Sequence, residues 1–182
     1  MDRFLLRQFQ REVERQCRFA IMAFEDIETS RAMGSGRRFW FSIQNLLVAL
    51  GRISRLLWPP EDSHSGRGRE LRESLEAPAD FPLRNREIVE YFEQFEERLE
   101  NWYETSGSHR FFDSYTEPLD VLATTTQGDR FRGFDTENEA ILFHGEMYRL
   151  QPLAEAVETL LDKAERETQK PRYYPPDVAE HS

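Results

Sequence analysis

Leu83 to Glu104 reads LRNREIVEYFEQFEERLENWYE. Ile88, Tyr91, Phe92, Phe95, Leu99 and Trp102 recur every three or four residues, so the spacing predicts one continuous helix with those six side chains on one face. Glu87, Glu90, Glu93, Glu96, Glu97, Glu100 and Glu104 interleave with only Arg84, Arg86 and Arg98. Pairs such as Arg86 with Glu90 settle part of that charge. Three arginines cannot balance seven glutamates, and the surplus repels phosphate unless arginines reach it from elsewhere.

Upstream, Phe4, Leu5, Phe9, Val13, Cys17, Ala20, Ile21, Phe24 and Ile27 form the single apolar stripe of a long helix from Met1 to about Ala32. Gly34-Ser35-Gly36 breaks it. A second helix, from about Arg37 to Trp58, carries Trp40, Ile43, Leu46, Leu47, Leu50, Ile53 and Leu57 on one side, and Pro59-Pro60 ends it. Glu61 to Gly68 reads as a polar loop, Arg69 to Leu75 as a short helix, and Pro78 to Pro82 as a further break. From Phe111 the character changes. EPLDVLATTT, DRFRGF, EAILFHG and EMYRL are short, rich in β-branched and aromatic residues, and divided by turn-forming residues. They predict an antiparallel meander over about 118–150. Gln151 to Lys170 returns to helical period through Leu153, Val157, Leu160, Leu161 and Ala164. The expectation is a mainly α protein: an antiparallel helical bundle with a small β-meander inserted before the last helix. It forms one domain over residues 1–170, followed by a proline-rich mobile tail at 171–182.

Composition sets the class. The chain has 182 residues, 38% hydrophobic and 32% charged, with a mean hydropathy of −0.73. That excludes a disordered chain and a membrane protein. The single Cys17 excludes a disulfide framework. Net charge is −10, unevenly spread: residues 1–72 hold 13 arginines against 9 acids, while residues 73–182 hold 11 basic against 25 acidic groups. The acidic back half disfavours non-specific contact with nucleic acid. All basic residues except Lys163 and Lys170 are arginine, which suits either a GC-rich genome or bidentate capture of carboxylate and phosphate. No signal-like segment follows Met1, and Gln44, Asn45, Arg52 and Arg55 interrupt the most apolar stretch, so a cytoplasmic, non-membrane protein is expected.

Site chemistry is sparse. Cys17 falls within the first apolar stripe, and His64, His109, His144 and His181 lack ligand spacing, so neither metal nor cofactor is expected. His109 follows the charged helix and could swing over its end. GSGRR places Arg37 and Arg38 at a helix start, where they could hold an anion, although a helix-to-helix break needs only the glycines.

RFWFSIQNLLVALGRISRLLWPP, RGRELRESL, PLRNREIVEYFEQFEERLENWY and RFRGFDTENEAILFHGEMYRLQPLAEAVETLL, in that order, resemble a bacterial group of HEPN-like proteins. The resemblance covers roughly residues 37–165. It implies an antiparallel helical bundle, a homodimer, and for many members metal-independent ribonuclease activity, here in a toxin–antitoxin or defence setting. In that group an Arg-Asn pair precedes a run ending His-Phe-Asp-Glu-Arg-Leu. Laid on EQFEERL, Glu93 to Leu99, the pair falls on Val89 and Glu90 and the His on Gln94. A shifted register offers Arg84 or Arg86 with Tyr91 in place of the His.

Cleavage through the RNA 2′-hydroxyl needs a proton acceptor and donor near neutral pH and a cation on the phosphorane. Gln94 cannot exchange a proton there, and Tyr91, at an ordinary pKa of about 10, does so poorly. The expectation is therefore a HEPN-like module without the family's ribonuclease activity, binding a partner protein or RNA. The alternative is a metal-independent endoribonuclease using Arg84, Arg86, Tyr91 and Gln94, with Asn85, Arg98, Arg37 and Arg38 as binding residues. On this register the triple change Val89→Arg, Glu90→Asn and Gln94→His rebuilds the family pattern and is expected to confer metal-independent RNA cleavage, or toxicity on expression.

Overall fold

The computed structural model describes residues 1–60, 65–118 and 127–171. Helix α1 spans Arg3–Ala32 and is capped by Asp2, whose carboxylate accepts the amides of Phe4 and Leu5 at 2.8 and 3.2 Å. Gly34, at φ 65°, turns the chain into α2, Gly36–Leu57. Val13, Cys17, Ala20 and Ile27 of α1 and Ile43, Leu46, Leu47 and Ile53 of α2 are almost fully buried in one core. α3, Ser65–Ser74, starts inside the expected polar loop and adds Leu71 to that core. The last helix, α6, Leu150–Gln169, buries Val157, Leu160 and Ala164 and lies along α1, with Arg18 on Glu165 at 2.8 Å and the Thr168 hydroxyl on Glu14 at 2.7 Å.

The charged segment is not one helix. Pro82–Arg84 forms a 3₁₀ turn, α4 spans Glu87–Glu93 and α5 spans Phe95–Thr105. Asn85 delays the start, because its side-chain oxygen accepts the Glu87 amide at 2.9 Å. At Gln94 the backbone opens to φ −106°, ψ 24°, although the amides of Gln94 and Arg98 still reach the carbonyls of Glu90 and Gln94. Packing explains the kink. Ile88 and Val89 of α4 join the main core, whereas Phe95 and Trp102 turn edge-on to Phe131 at 6.0 and 5.6 Å. No straight helix serves both.

The sheet is ordered β1 (Tyr115–Thr116), β2 (Arg132–Asp135), β3 (Ala140–Phe143), β4 (Glu146–Arg149). β2, β3 and β4 pair antiparallel, with Gly133 opposite Leu142 and Leu142 opposite Met147. The expected meander needs correction at its first strand: Tyr115–Thr116 pairs parallel to β2. Residues 119–126 of the expected first strand lie outside the described residues, as does the tail from 172 onward. Gly133 admits this pairing because a Cβ there would lie 2.0 Å from Cζ of the Tyr115 ring. Asp135, fully buried, accepts the amides of Glu137 and Asn138 and closes the β2–β3 turn. Phe134 meets Phe39 at 4.9 Å and joins sheet to helices in one core. Among the described residues no helix is long and apolar enough to cross a membrane.

Candidate site on the charged helices

The arginines of the charged segment are mostly engaged. Arg84 donates to the Ala79 carbonyl at 3.0 Å. Arg86 lies between Glu90 at 3.9 Å and Glu93 at 3.7 Å, and Glu93 also takes Arg55 of α2 at 3.2 Å. The Asn85 side chain is occupied by Glu87. At the start of α2, Arg38 pairs with Asp26 at 3.2 Å while Arg37 stands exposed beside it. Arg38 is thus committed to Asp26, and none of the contacts of Arg84 or Arg86 among the described residues involves Tyr91.

Tyr91, Gln94 and Arg98 do come together. The Arg98 guanidinium carbon sits 3.8 Å from the Tyr91 ring centroid, and its Nη2 donates to Gln94 Oε1 at 3.1 Å. Spacings of three and four residues put them on one side of the kinked helix pair. Tyr91 in turn stacks on Phe143 at 6.4 Å. Among the described residues Arg98 forms no ion pair, although seven glutamates share its segment, and its Nε is buried without a partner.

The residue missed by sequence reasoning is His144. With Gly145 it makes the two-residue β3–β4 turn, at φ 50° and 86°, and its ring lies against Phe131 at 5.4 Å. Burial, then the charge of Arg98, lowers its pKa from the usual 6.5, and its Nδ1 has no partner. On β4, burial and then the charge of Glu87 push the Tyr148 hydroxyl up to about 12. The charge of Arg98, a guanidinium without a carboxylate partner among the described residues, thus acts on both His144 and Tyr148. Only the hairpin signal His-Gly between apolar strands could have marked His144, and it could not say what the turn faces.

A different surface lies on the other side of α4. Three clefts, one of about 330 Å³, follow α2 from Arg37 and Phe41 past Gln44 and Val48 to Arg52, Arg55 and Arg67. Val89, Phe92 and Phe95 form the opposite wall. On α5 the carboxylates of Glu96, Glu97, Glu100 and Glu104 are exposed and, among the described residues, unpaired. No group of three or more His, Cys, Asp or Glu among the described residues could hold a metal ion.

Comparison with known proteins returns no match to a family model, a curated protein or a solved structure.

Proposed function

We propose that the chain is a HEPN-like antiparallel bundle that acts as a binding module for a partner protein and lacks the family's ribonuclease activity. The observation that carries this reading is Val89. Where the family register asks for an arginine on the substrate, this side chain is 4% exposed and faces Gly51 of the neighbouring helix. Gln94, at the position of the family's His, receives Arg98 and holds no exchangeable proton near neutral pH. The acidic face of α5 favours a protein partner over RNA, because unpaired carboxylates repel phosphate. A homodimer in a cytoplasmic toxin–antitoxin or defence setting belongs to the same reading.

The test is incubation of the purified chain with total RNA and with tRNA in EDTA. No cleavage is expected. Products that vanish in Arg86→Ala or Tyr91→Phe would overturn the reading in favour of the charged-helix endoribonuclease.

One observation favours a second reading. Arg98 rests on Tyr91 and its charge helps burial lower the His144 pKa, so the three offer a cation and an imidazole proton acceptor. Cleavage lost in both Arg98→Ala and His144→Asn, and kept in Arg86→Ala, would establish that site instead.

A further inference from the structure

We propose that the groove along the outer face of α2 is a docking site for an acidic amphipathic helix of a partner protein. The inference rests on the partner-binding reading above and names the partner's chemistry. α2 carries Arg37, Arg38, Arg52 and Arg55 and no Asp or Glu, alone among the six described helices. Arg37, Phe41, Gln44, Val48 and Arg52 follow at steps of four, three, four and four residues, which places them in one stripe along the helix. Phe41 is 61% and Val48 50% exposed, so the stripe presents two large apolar side chains between basic ends.

The clefts facing this stripe are one channel. Those at the Arg52 end and in the middle share Leu47, Val48, Val89 and Glu93, and those in the middle and at the Arg37 end share Gln44, Phe92 and Arg132. From Arg37 to Arg55 the channel runs along ~27 Å of helix, the length of a helix of ~18 residues. On the α2 side Phe41 and Val48 lie between Arg37 and Arg52, and at the far end Arg52, Arg55 and Arg67 outnumber Glu12 and Glu93, which matches a helix that carries apolar anchors at i, i+4 and i+7 and carboxylates near both ends.

Charge selects among occupants. Among the described residues Arg37 and Arg52 meet no carboxylate, whereas Arg55 shares Glu93. A second copy of α2 would set arginine against arginine. The α5 helix of a second copy carries the right charge but spans only ~16 Å. A nucleic acid carries phosphate along its whole length and would meet Glu93 and Glu96 in the middle of the groove, where the acidic helix presents its apolar anchors.

The experiment is fluorescence anisotropy of the full chain with two labelled synthetic helices of ~18 residues. One has leucines at i, i+4, i+7 and i+11 and glutamates near both ends; the other has lysine for every glutamate. The acidic peptide should bind with a micromolar Kd, and the lysine peptide at least ~10-fold more weakly. Val48→Glu and Arg52→Glu, both at exposed positions, should each weaken the acidic peptide by ~10-fold or more, and Glu158→Lys on α6 should leave it unchanged. Equal binding of the two peptides, absence of saturation, or indifference to Val48→Glu overturns the proposal. A fall in native mass on Val48→Glu, with no peptide present, overturns it too, because the groove would then hold a second copy. RNA cleavage by the parent would defeat the partner-binding reading alone and leave the peptide result to decide the groove.

Discussion

Gly51 of α2 and Val89 of α4 meet so closely that a Cβ on the glycine would lie 2.9 Å from Val89 Cγ1. That contact sets how near α4 stands to α2, and so fixes the floor of the groove between them. Gly51→Ala gains about 1 kcal/mol of helix propensity. The crowding it creates falls on a β-branched side chain with little rotameric freedom and costs about 1–3 kcal/mol. A net loss of stability is expected in urea unfolding. Val89→Ala removes the obstructing methyls, so the double variant should be more stable than the two single losses predict, by about 0.5–3 kcal/mol. Additive losses would mean that the two helices do not press on each other.

The same burial decides what happens when the family pattern is restored. Val89→Arg forces a long charged side chain into the close contact with Gly51, at a cost of several kcal/mol even with Glu93 lining the adjoining cleft. The triple variant Val89→Arg, Glu90→Asn, Gln94→His is therefore expected to lose its fold rather than gain cleavage. Glu90→Asn with Gln94→His, both at exposed positions, should fold and stay inactive. Circular dichroism melts and an RNA assay in EDTA read both outcomes. A folded, cleaving triple variant would show that α4 can rotate Val89 outward.

These two residues also mark where sequence reading stopped. The stripes of α1, α2 and α6 were legible because each helix is long and has a single apolar partner surface. The kink at Gln94 was not, because the aromatic period continues through it. What bends the chain is the divergence of Val89 towards α2 and Phe95 towards Phe131, a tertiary fact. β1 has two residues and no readable period, and its parallel pairing depends on Gly133 accommodating the Tyr115 ring. In the site, the Tyr91, Gln94 and Arg98 spacing was legible within one segment. His144 comes from a hairpin more than forty positions later, and nothing in the local pattern directs it there.

His144 should make stability depend on pH. Burial, then the charge of Arg98, holds its folded pKa below the usual 6.5. In the window between the folded value and 6.5 the unfolded chain binds a proton that the folded chain does not. Stability therefore rises with pH through that window and falls on acidification; above it both forms are neutral and the contribution vanishes. His144→Asn removes the titration and tolerates the left-handed backbone at φ 50°. Its unfolding midpoint should decline less than the parent's between about pH 7 and pH 5. NMR titration of Arg98→Ala should show the His144 pKa raised. Equal pH slopes in parent and His144→Asn would remove His144 from the account.

On α1, Arg11, Arg15, Phe19 and Met22 follow at steps of four, four and three residues, and Phe19 and Met22 are 49% and 59% exposed. On α5, Glu96, Glu97, Glu100 and Glu104 have no ion-pair partner among the described residues. A two-fold contact that sets α1 of one protomer against α5 of the other would cover the apolar pair and match arginine to glutamate twice over. Light scattering at micromolar concentration and physiological salt should give twice 21.6 kDa. Met22→Glu, exposed and so compatible with folding, should give the monomer. Salt of about 1 M shortens the screening length to ~3 Å, so exposed charge pairs attract less, and it should weaken the dimer. Salt-independent dimerisation would shift the attraction from the charges to Phe19 and Met22. A monomeric parent would leave the carboxylates of α5 free for another chain.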